Sequence, residues 1–156
     1  MALRVGINGF GRIGRMVLRS IIENNRKDLE VVAINYRSNS KVSSFLVKHD
    51  TVHGKLNAKV SFSEKTIEIN GKTISMIREA EISKIDWKKY KVDVVLECTG
   101  KFNTKEKSAQ HIKSGAKKVL VSAPCKGAVN IIFGVNQKTL KNSDQVISAA
   151  SCLQTV

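Results

Sequence analysis

Three glycines near the N terminus have the spacing that a bound pyrophosphate requires. Gly9, Gly11 and Gly14 form the pattern G-x-G-x-x-G. In that pattern the first glycine permits a tight turn, the second lets the backbone approach a pyrophosphate, and the third lets a helix pack closely on a sheet. The free N–H groups of the helix point at the phosphates, where the helix dipole also favours an anion. Because glycines also occur at such turns for packing alone, the pattern needs the right structural context.

The residues on both sides of the glycines supply that context. Apolar residues alternate before the glycines, which is typical of a strand, and recur at helical spacing after them. They are Leu3, Val5 and Ile7 before the turn, and Ile13, Val17, Leu18, Ile21 and Ile22 after it. We predict a helix over residues 11–24 and a second buried strand over residues 30–35, which together with the first strand make a βαβ unit. This order of elements favours a dinucleotide-binding site.

The end of the second predicted strand bears on which dinucleotide binds. An Asp or Glu about 20 residues past the glycines usually holds the ribose hydroxyls of NAD. Here Tyr36 occupies that position and Arg37 follows it. An Arg at this place is able to pair with the 2′-phosphate of NADP, although it is equally an ordinary exposed basic residue. NAD and NADP therefore both remain open from the residues alone.

The remaining segments continue the α/β pattern. Four further runs have the character of strands: residues 92–98, 118–122, 130–135 and 145–148. Alternating apolar and polar residues around the turn Asn70-Gly71 predict an antiparallel hairpin inserted into the core. A helix is predicted over residues 105–114, with Asn103 or Thr104 as its cap.

Composition limits the class of protein. The chain has 156 residues, 42% of them hydrophobic, which suits a folded domain with a core. We predict a doubly wound, mostly parallel Rossmann-type sheet over residues 1–148, with residues 149–156 as the start of a further domain. No apolar run reaches the ~18 residues of a membrane span, and the first strand begins too early for a signal peptide. The three cysteines are odd in number and lack metal-ligand spacing, so we expect a cytoplasmic, reducing compartment and no metal site.

The chain is strongly basic, with 27 Lys and Arg against 13 Asp and Glu and a net charge of +14. A basic surface attracts polyanions. The lysines are scattered, however, and only 5% of the residues are aromatic, so the basic and stacking stripe of a single-strand binder is absent. We expect phosphorylated small molecules rather than nucleic acid as partners.

Seven blocks occur in order along nearly the whole chain: residues 5–15 (VGINGFGRIGR), 32–35 (VAIN), 48–54 (KHDTVHG), 97–102 (ECTGKF), 115–124 (GAKKVLVSAP), 133–136 (FGVN) and 150–152 (ASC). Together they are far more specific than one glycine turn. They resemble the N-terminal cofactor domain of phosphorylating glyceraldehyde-3-phosphate dehydrogenases of the bacterial type.

The resemblance implies a nicotinamide dinucleotide as cofactor, with NAD favoured over NADP, and it assigns residue roles. The backbone at Arg12 and Ile13 would hold the pyrophosphate, and Ser122 would lie near the nicotinamide ribose. Arg78, Thr99 and Gly100 would line the adenine and ribose side. Further candidate cofactor residues stand at the end of the second predicted strand: Asn35, Tyr36 and Arg37.

The resemblance also makes Cys152 the catalytic nucleophile, with Ser151 beside it in the substrate site. In the family's chemistry the thiolate attacks the aldehyde of glyceraldehyde 3-phosphate, hydride passes to the nicotinamide, and inorganic phosphate cleaves the resulting thioester. Cys152 follows a predicted strand at the point where a helix would begin, and a helix N terminus lowers the pKa of a thiol. A buried, inert cysteine describes Cys98 and Cys125 better, and Cys125, which follows Pro124, is at best a surface-loop thiol.

The sequence departs from the family's pattern at Tyr36, at Ala149 and over residues 153–156, where Leu-Gln-Thr-Val stands in place of Thr-Thr-Asn-Cys. Ala149 replaces an Asn, Leu153 replaces a Thr that helps to bind substrate or phosphate, and Tyr36 replaces the acidic residue. The substrate domain of the family, with its activating His and much of its homotetramer interface, lies outside these 156 residues. We therefore expect cofactor binding at most, and no turnover, from this chain alone, together with an uncovered apolar surface. A non-catalytic fragment that binds adenine nucleotides or other subunits remains the alternative.

Overall fold

A computed structural model describes residues 1–149 as an α/β fold around one nine-stranded sheet. The strands are β1 Leu3–Asn8, β2 Leu29–Asn35, β3 His49–Asp50, β4 Gly54–Lys55, β5 Val60–Phe62, β6 Thr66–Ile69, β7 Lys72–Ile77, β8 Val94–Glu97, β9 Lys118–Val121, β10 Val129–Ile131 and β11 Val146–Ala149. The helices are α1 Arg12–Glu23, α2 Ser40–Lys48, α3 Lys105–Ser108 and α4 Gln110–Lys113, with 3₁₀ turns at Ile82–Lys84 and Gln137–Thr139.

The strand order β10-β11-β9-β8-β1-β2-β7-β6-β5 confirms the predicted mostly parallel, Rossmann-type sheet. Every pair from β10 to β7 is parallel, while β5–β6 and β6–β7 are antiparallel. Because β7 is itself a parallel neighbour of β2, the predicted hairpin extends the sheet at one edge. A separate two-stranded sheet, β3–β4, was not predicted from the sequence.

The strand order reverses at β1, which lies between β2 and β8. Asn8 at the end of β1 is level with Asn35 on one side and with Glu97 on the other. Three parallel strands therefore end together at a switch point, where open α/β sheets bind their ligands.

Each face of β1 is covered by a different part of the core. Val5 and Ile7 belong to the buried cluster that includes Leu18 of α1. On the opposite face, a Cβ on Gly6 would lie 2.7 Å from the ring of Trp87, which is fully buried in a second cluster. Trp87 therefore belongs to the core, and the glycine makes room for the indole.

The helix predicted over residues 105–114 is divided into the short helices α3 and α4. Thr104 caps α3, since its hydroxyl oxygen accepts a hydrogen bond from the backbone N–H of Lys107 at 3.3 Å. No helix among residues 1–149 is both long and apolar enough to cross a membrane.

The strand predicted over residues 130–135 ends early, because the Asn136 side chain closes a turn. The side-chain oxygen of Asn136 accepts from the N–H of Ile132 at 2.7 Å, and its NH₂ donates to the carbonyl of Asn130 at 3.0 Å. Phe133, an apolar residue that suggested a strand, is 91% exposed in this turn.

Candidate functional site

A cleft of about 290 Å³ lies at the carboxyl ends of β1, β2 and β8. Its walls come from the glycine turn, the end of β2, the segment after β7 and the turn after β8. The lining residues are Asn8, Gly9, Gly11, Asn35, Tyr36, Arg37, Glu79, Ala80, Ile82, Cys98, Thr99, Lys101 and Phe102. The structure therefore brings six of the predicted cofactor residues together: Gly9, Gly11, Asn35, Tyr36, Arg37 and Thr99.

The three glycines of the turn have different local environments. Gly9 has φ +92°, and a Cβ there would lie 2.8 Å from the backbone N of Thr99. A Cβ on Gly14 would overlap the carbonyl oxygen of Gly9. A Cβ on Gly11, by contrast, would have no heavy atom within 4 Å, and φ at Gly11 is −72°, which any residue can adopt. The fold requires glycine at positions 9 and 14 but does not require it at position 11.

The N terminus of α1 opens beside this turn. No side chain among residues 1–149 caps it, and its first turn has no acidic residue. The Arg12 side chain lies 3.5 Å from the carboxylate of Asp50. Backbone N–H groups of His53 and Val52, with smaller contributions from the His53 ring and Arg12, hold the pKa of Asp50 far below its ordinary value. The first N–H groups of α1 are therefore the donors that remain for an anion.

The end of β2 contributes an amide, a phenol and a guanidinium to the cleft. The Asn35 NH₂ donates to Asn8 Oδ1 at 2.7 Å and to the Glu79 carbonyl at 3.0 Å, while its Oδ1 accepts from the Glu79 N–H at 2.9 Å. The ring of Tyr36 packs edge-on against Phe10, with centroids 6.3 Å apart. Arg37 follows with an exposed side chain.

Below the cleft lies a buried carboxylate that sequence reasoning did not identify as a site residue. Glu97 is 1% exposed and accepts from Asn8 Nδ2 at 2.6 Å, His111 Nε2 at 2.9 Å, and the N–H and hydroxyl of Thr99 at 2.8 and 2.5 Å. Burial raises the pKa of Glu97, but these hydrogen bonds outweigh it and hold the pKa below its ordinary value. The available signal was a charged residue at the end of an otherwise apolar strand.

Other predicted residues lie elsewhere or beside the cleft. Nη2 of Arg78 donates to the carbonyl of Glu64 at 3.0 Å, away from the cleft lining. Ser122 lines a separate apolar groove of about 480 Å³, which matches the uncovered apolar surface expected above. Arg12 and Gly100 directly adjoin lining residues in the sequence, and Ile13 and Gly14 follow Arg12 in α1. All these cofactor roles stay predictions, and Ser151 and Cys152 lie outside the described residues.

The two described cysteines differ in exposure, since Cys125 is buried whereas Cys98 is half-buried and lines the cleft. Cys125 is 3% exposed, so its predicted place as a surface-loop thiol is wrong, because it packs against Val119 and Val121 in a small core. Burial raises the pKa of Cys98 to about 11, with a smaller contribution from the negative charge of Glu97. Burial, followed by the charge of Glu106, also raises the pKa of Cys125.

The domain is a dinucleotide-binding α/β domain, because it combines a parallel sheet and its switch-point cleft with a glycine turn and an uncapped helix N terminus. Residues 3–105 match the family described as glyceraldehyde 3-phosphate dehydrogenase, NAD binding domain. The chain belongs to this family, whose domain binds NAD as the sequence analysis expected.

Curated relatives extend the match to nearly the whole chain. A glyceraldehyde-3-phosphate dehydrogenase of Cereibacter sphaeroides is 48% identical over 153 residues, which cover 97% of this chain and 45% of the relative. That of Thermotoga maritima is 45% identical over 150 residues, covering 96% and 45%. The plasmid form from Cupriavidus necator is 45% identical over 155 residues, covering 97% and 46%. The chain therefore spans about half the length of these relatives.

The raised thiol pKa values predict slow alkylation of the native chain. At about pH 8, Cys98 and Cys125 remain protonated because their pKa values lie above those of free thiols. We expect iodoacetamide to leave both unmodified in the native chain and to modify both after unfolding in guanidinium chloride, as measured by peptide mass spectrometry. Rapid modification of either residue without denaturant would contradict the raised pKa of its thiol.

Proposed function

We propose that Gly9, Gly11 and the first N–H groups of α1 hold the pyrophosphate of NAD. The observation that carries this assignment is Gly11, where neither backbone conformation nor protein packing calls for glycine. Close approach of a ligand explains the missing Cβ, and the adjacent helix N terminus supplies N–H donors and a favourable dipole for a diphosphate. Tyr36, Arg37 and Thr99 then lie where the cleft continues towards the adenosine half of the cofactor.

Substituting the glycines one at a time separates folding from binding. Gly11→Ala changes the free energy of unfolding by less than about 1 kcal/mol, because the added methyl group meets open space. The same change weakens NAD⁺ binding about tenfold or more, since charge-assisted hydrogen bonds are worth about 1.5–3 kcal/mol each. The measurements are calorimetric titration of the 156-residue chain and thermal unfolding.

Gly14→Ala is the matched comparison, because the same methyl group would overlap the carbonyl of Gly9 and lower both stability and affinity. If Gly11→Ala bound NAD⁺ as tightly as the unsubstituted chain, the pyrophosphate assignment would be wrong.

The residues after β2 further support acceptance of NADP. Tyr36 supplies no carboxylate to repel a 2′-phosphate, and the exposed Arg37 lines the same wall of the cleft. NAD remains the family's cofactor, and NADP is proposed as a second ligand of the same site.

Replacing Arg37 tests this second ligand. Arg37→Ala weakens NADP⁺ binding about tenfold while NAD⁺ binding changes by less than about twofold, because a guanidinium–phosphate pair is lost only from NADP. Lys72→Ala removes an equal charge at the start of β7, the end of that strand away from the cleft. This variant leaves both affinities unchanged and controls for net charge. Equal losses for NAD⁺ and NADP⁺ in Arg37→Ala would exclude a role in 2′-phosphate recognition.

For the whole protein, we propose the reaction named for its relatives, the NAD-dependent oxidation and phosphorylation of glyceraldehyde 3-phosphate, with Cys152 as nucleophile and Ser151 beside it. The described residues supply the cofactor cleft, and about half of the relatives' length is unmatched by this chain. We propose that the activating base, the substrate's phosphate site and a homotetramer interface belong to that unmatched part. A cytoplasmic location fits such a reaction. The 156-residue chain alone then binds NAD⁺ but reduces none in the presence of substrate and phosphate.

A further inference from the structure

A continuous chain of hydrogen bonds runs beneath the cleft, from Trp87 to the backbone of Glu79. The Trp87 Nε1–H donates to His111 Nδ1 at 2.9 Å, and His111 Nε2 contacts Glu97 Oε2 at 2.9 Å. The same oxygen accepts from Asn8 Nδ2, and Asn8 Oδ1 accepts from Asn35 Nδ2. Asn35 then holds both the N–H and the carbonyl of Glu79.

The direction of every bond in this chain of hydrogen bonds is fixed by groups that can only donate. An indole N–H can only donate, so His111 Nδ1 is an acceptor and Nε2 carries the ring proton towards Glu97. The contact between His111 and Glu97 is thus a hydrogen bond from a neutral ring and not an ion pair. At the other end, the Glu79 N–H can only donate, which orients the Asn35 amide.

The orientation of Asn35 in turn places the Asn8 Nδ2 donor against Glu97. With the N–H and hydroxyl of Thr99, four donors converge on the two oxygens of one carboxylate. A carboxylate accepts at both oxygens, whereas an amide of the same shape has one accepting atom. Glutamine at position 97 would therefore place its NH₂ group either against the donors of Asn8 and His111 or against the N–H of Thr99. In either orientation, N–H groups of the neighbours would face an NH₂ group that cannot accept their hydrogen bonds.

The same bonds connect opposite walls of the cleft. Thr99 forms one wall and contacts the glycine turn, since a Cβ on Gly9 would lie 2.8 Å from its backbone N. Glu79 forms the other wall and is held through Asn35 and Asn8. Glu97 joins these two walls while being 1% exposed and absent from the lining.

We propose that Glu97 is a positioning residue for cofactor binding: as the shared acceptor of Asn8, Thr99 and His111, it fixes the spacing between the Thr99 wall and the Glu79 wall of the cleft. This inference rests on the proposed assignment of NAD to that cleft. This role requires residue 97 to accept hydrogen bonds at both ends of its side-chain group, which the amide of glutamine cannot do.

The test compares NAD⁺ binding by Glu97→Gln with that of a variant whose structural damage lies elsewhere. Ile69→Ala truncates a buried residue of β6, next to the edge strand β5 and outside the cleft lining, and loses stability through a cavity. We expect Glu97→Gln to bind NAD⁺ about tenfold more weakly, because at least one buried donor is left unpaired beneath the cleft. We expect Ile69→Ala to bind like the unsubstituted chain at a temperature where both variants are folded.

Trp87 is the only tryptophan, so its indole N–H gives a single NMR signal that reports the far end of the chain of bonds. We expect that signal to move in Glu97→Gln and to keep its position in Ile69→Ala. Unchanged NAD⁺ affinity in Glu97→Gln would overturn the positioning role while leaving the proposed function intact. Absence of NAD⁺ binding by the unsubstituted chain would instead overturn the proposed function and this inference with it.

A second pair of variants keeps the proposal testable if Glu97→Gln does not fold. His111→Leu removes one donor to Glu97 from the side away from the cleft, and His111→Gln is able to restore a donor near the Nε2 position. We expect His111→Leu to weaken NAD⁺ binding several-fold and His111→Gln to recover most of that loss. Equal NAD⁺ affinity in both variants would contradict coupling through Glu97.

Discussion

The close approach of α1 to the turn after β1 is the contact on which the rest of the structure depends. Gly14 lies so near the carbonyl of Gly9 that a methyl group would not fit between them. This approach lets Leu18 pack with Val5 and Ile7 of β1, and it directs the N terminus of α1 to the ends of the parallel strands. One steric condition thus serves both the core and the binding of an anion.

The carboxyl ends of the strands also hold a buried charge, which is costly unless its hydrogen bonds are complete. Glu97 meets this condition with donors from three residues, one of which, His111, is itself buried by Phe102 and Trp87. These hydrogen bonds offset the cost of burying the charge. They also fix the orientation of Asn8 and of the turn at Thr99.

The sequence was most informative where one local rule decided the structure. The glycine spacing and apolar periodicity located α1 to within one residue at each end, and the turn Asn70-Gly71 located the hairpin. Longer-range packing decided the rest. The side chain of Asn136 ended a predicted strand, and the core formed by Val119 and Val121 buried Cys125 after its proline turn. Glu97 was missed as a site residue because two of its three partners, His111 and Asn8, are 14 and 89 residues away in the chain.

The most direct test of the account is a titration of the ¹⁵N-labelled 156-residue chain with NAD⁺, followed through its backbone amide resonances. The account predicts saturable shifts concentrated at the glycine turn, Tyr36, Arg37, Ala80 and Thr99, with the Asn70-Gly71 turn at the opposite end unaffected. Saturable binding whose shifts avoid Gly9 and Gly11 would contradict it, because the cofactor would then occupy a different surface of the domain.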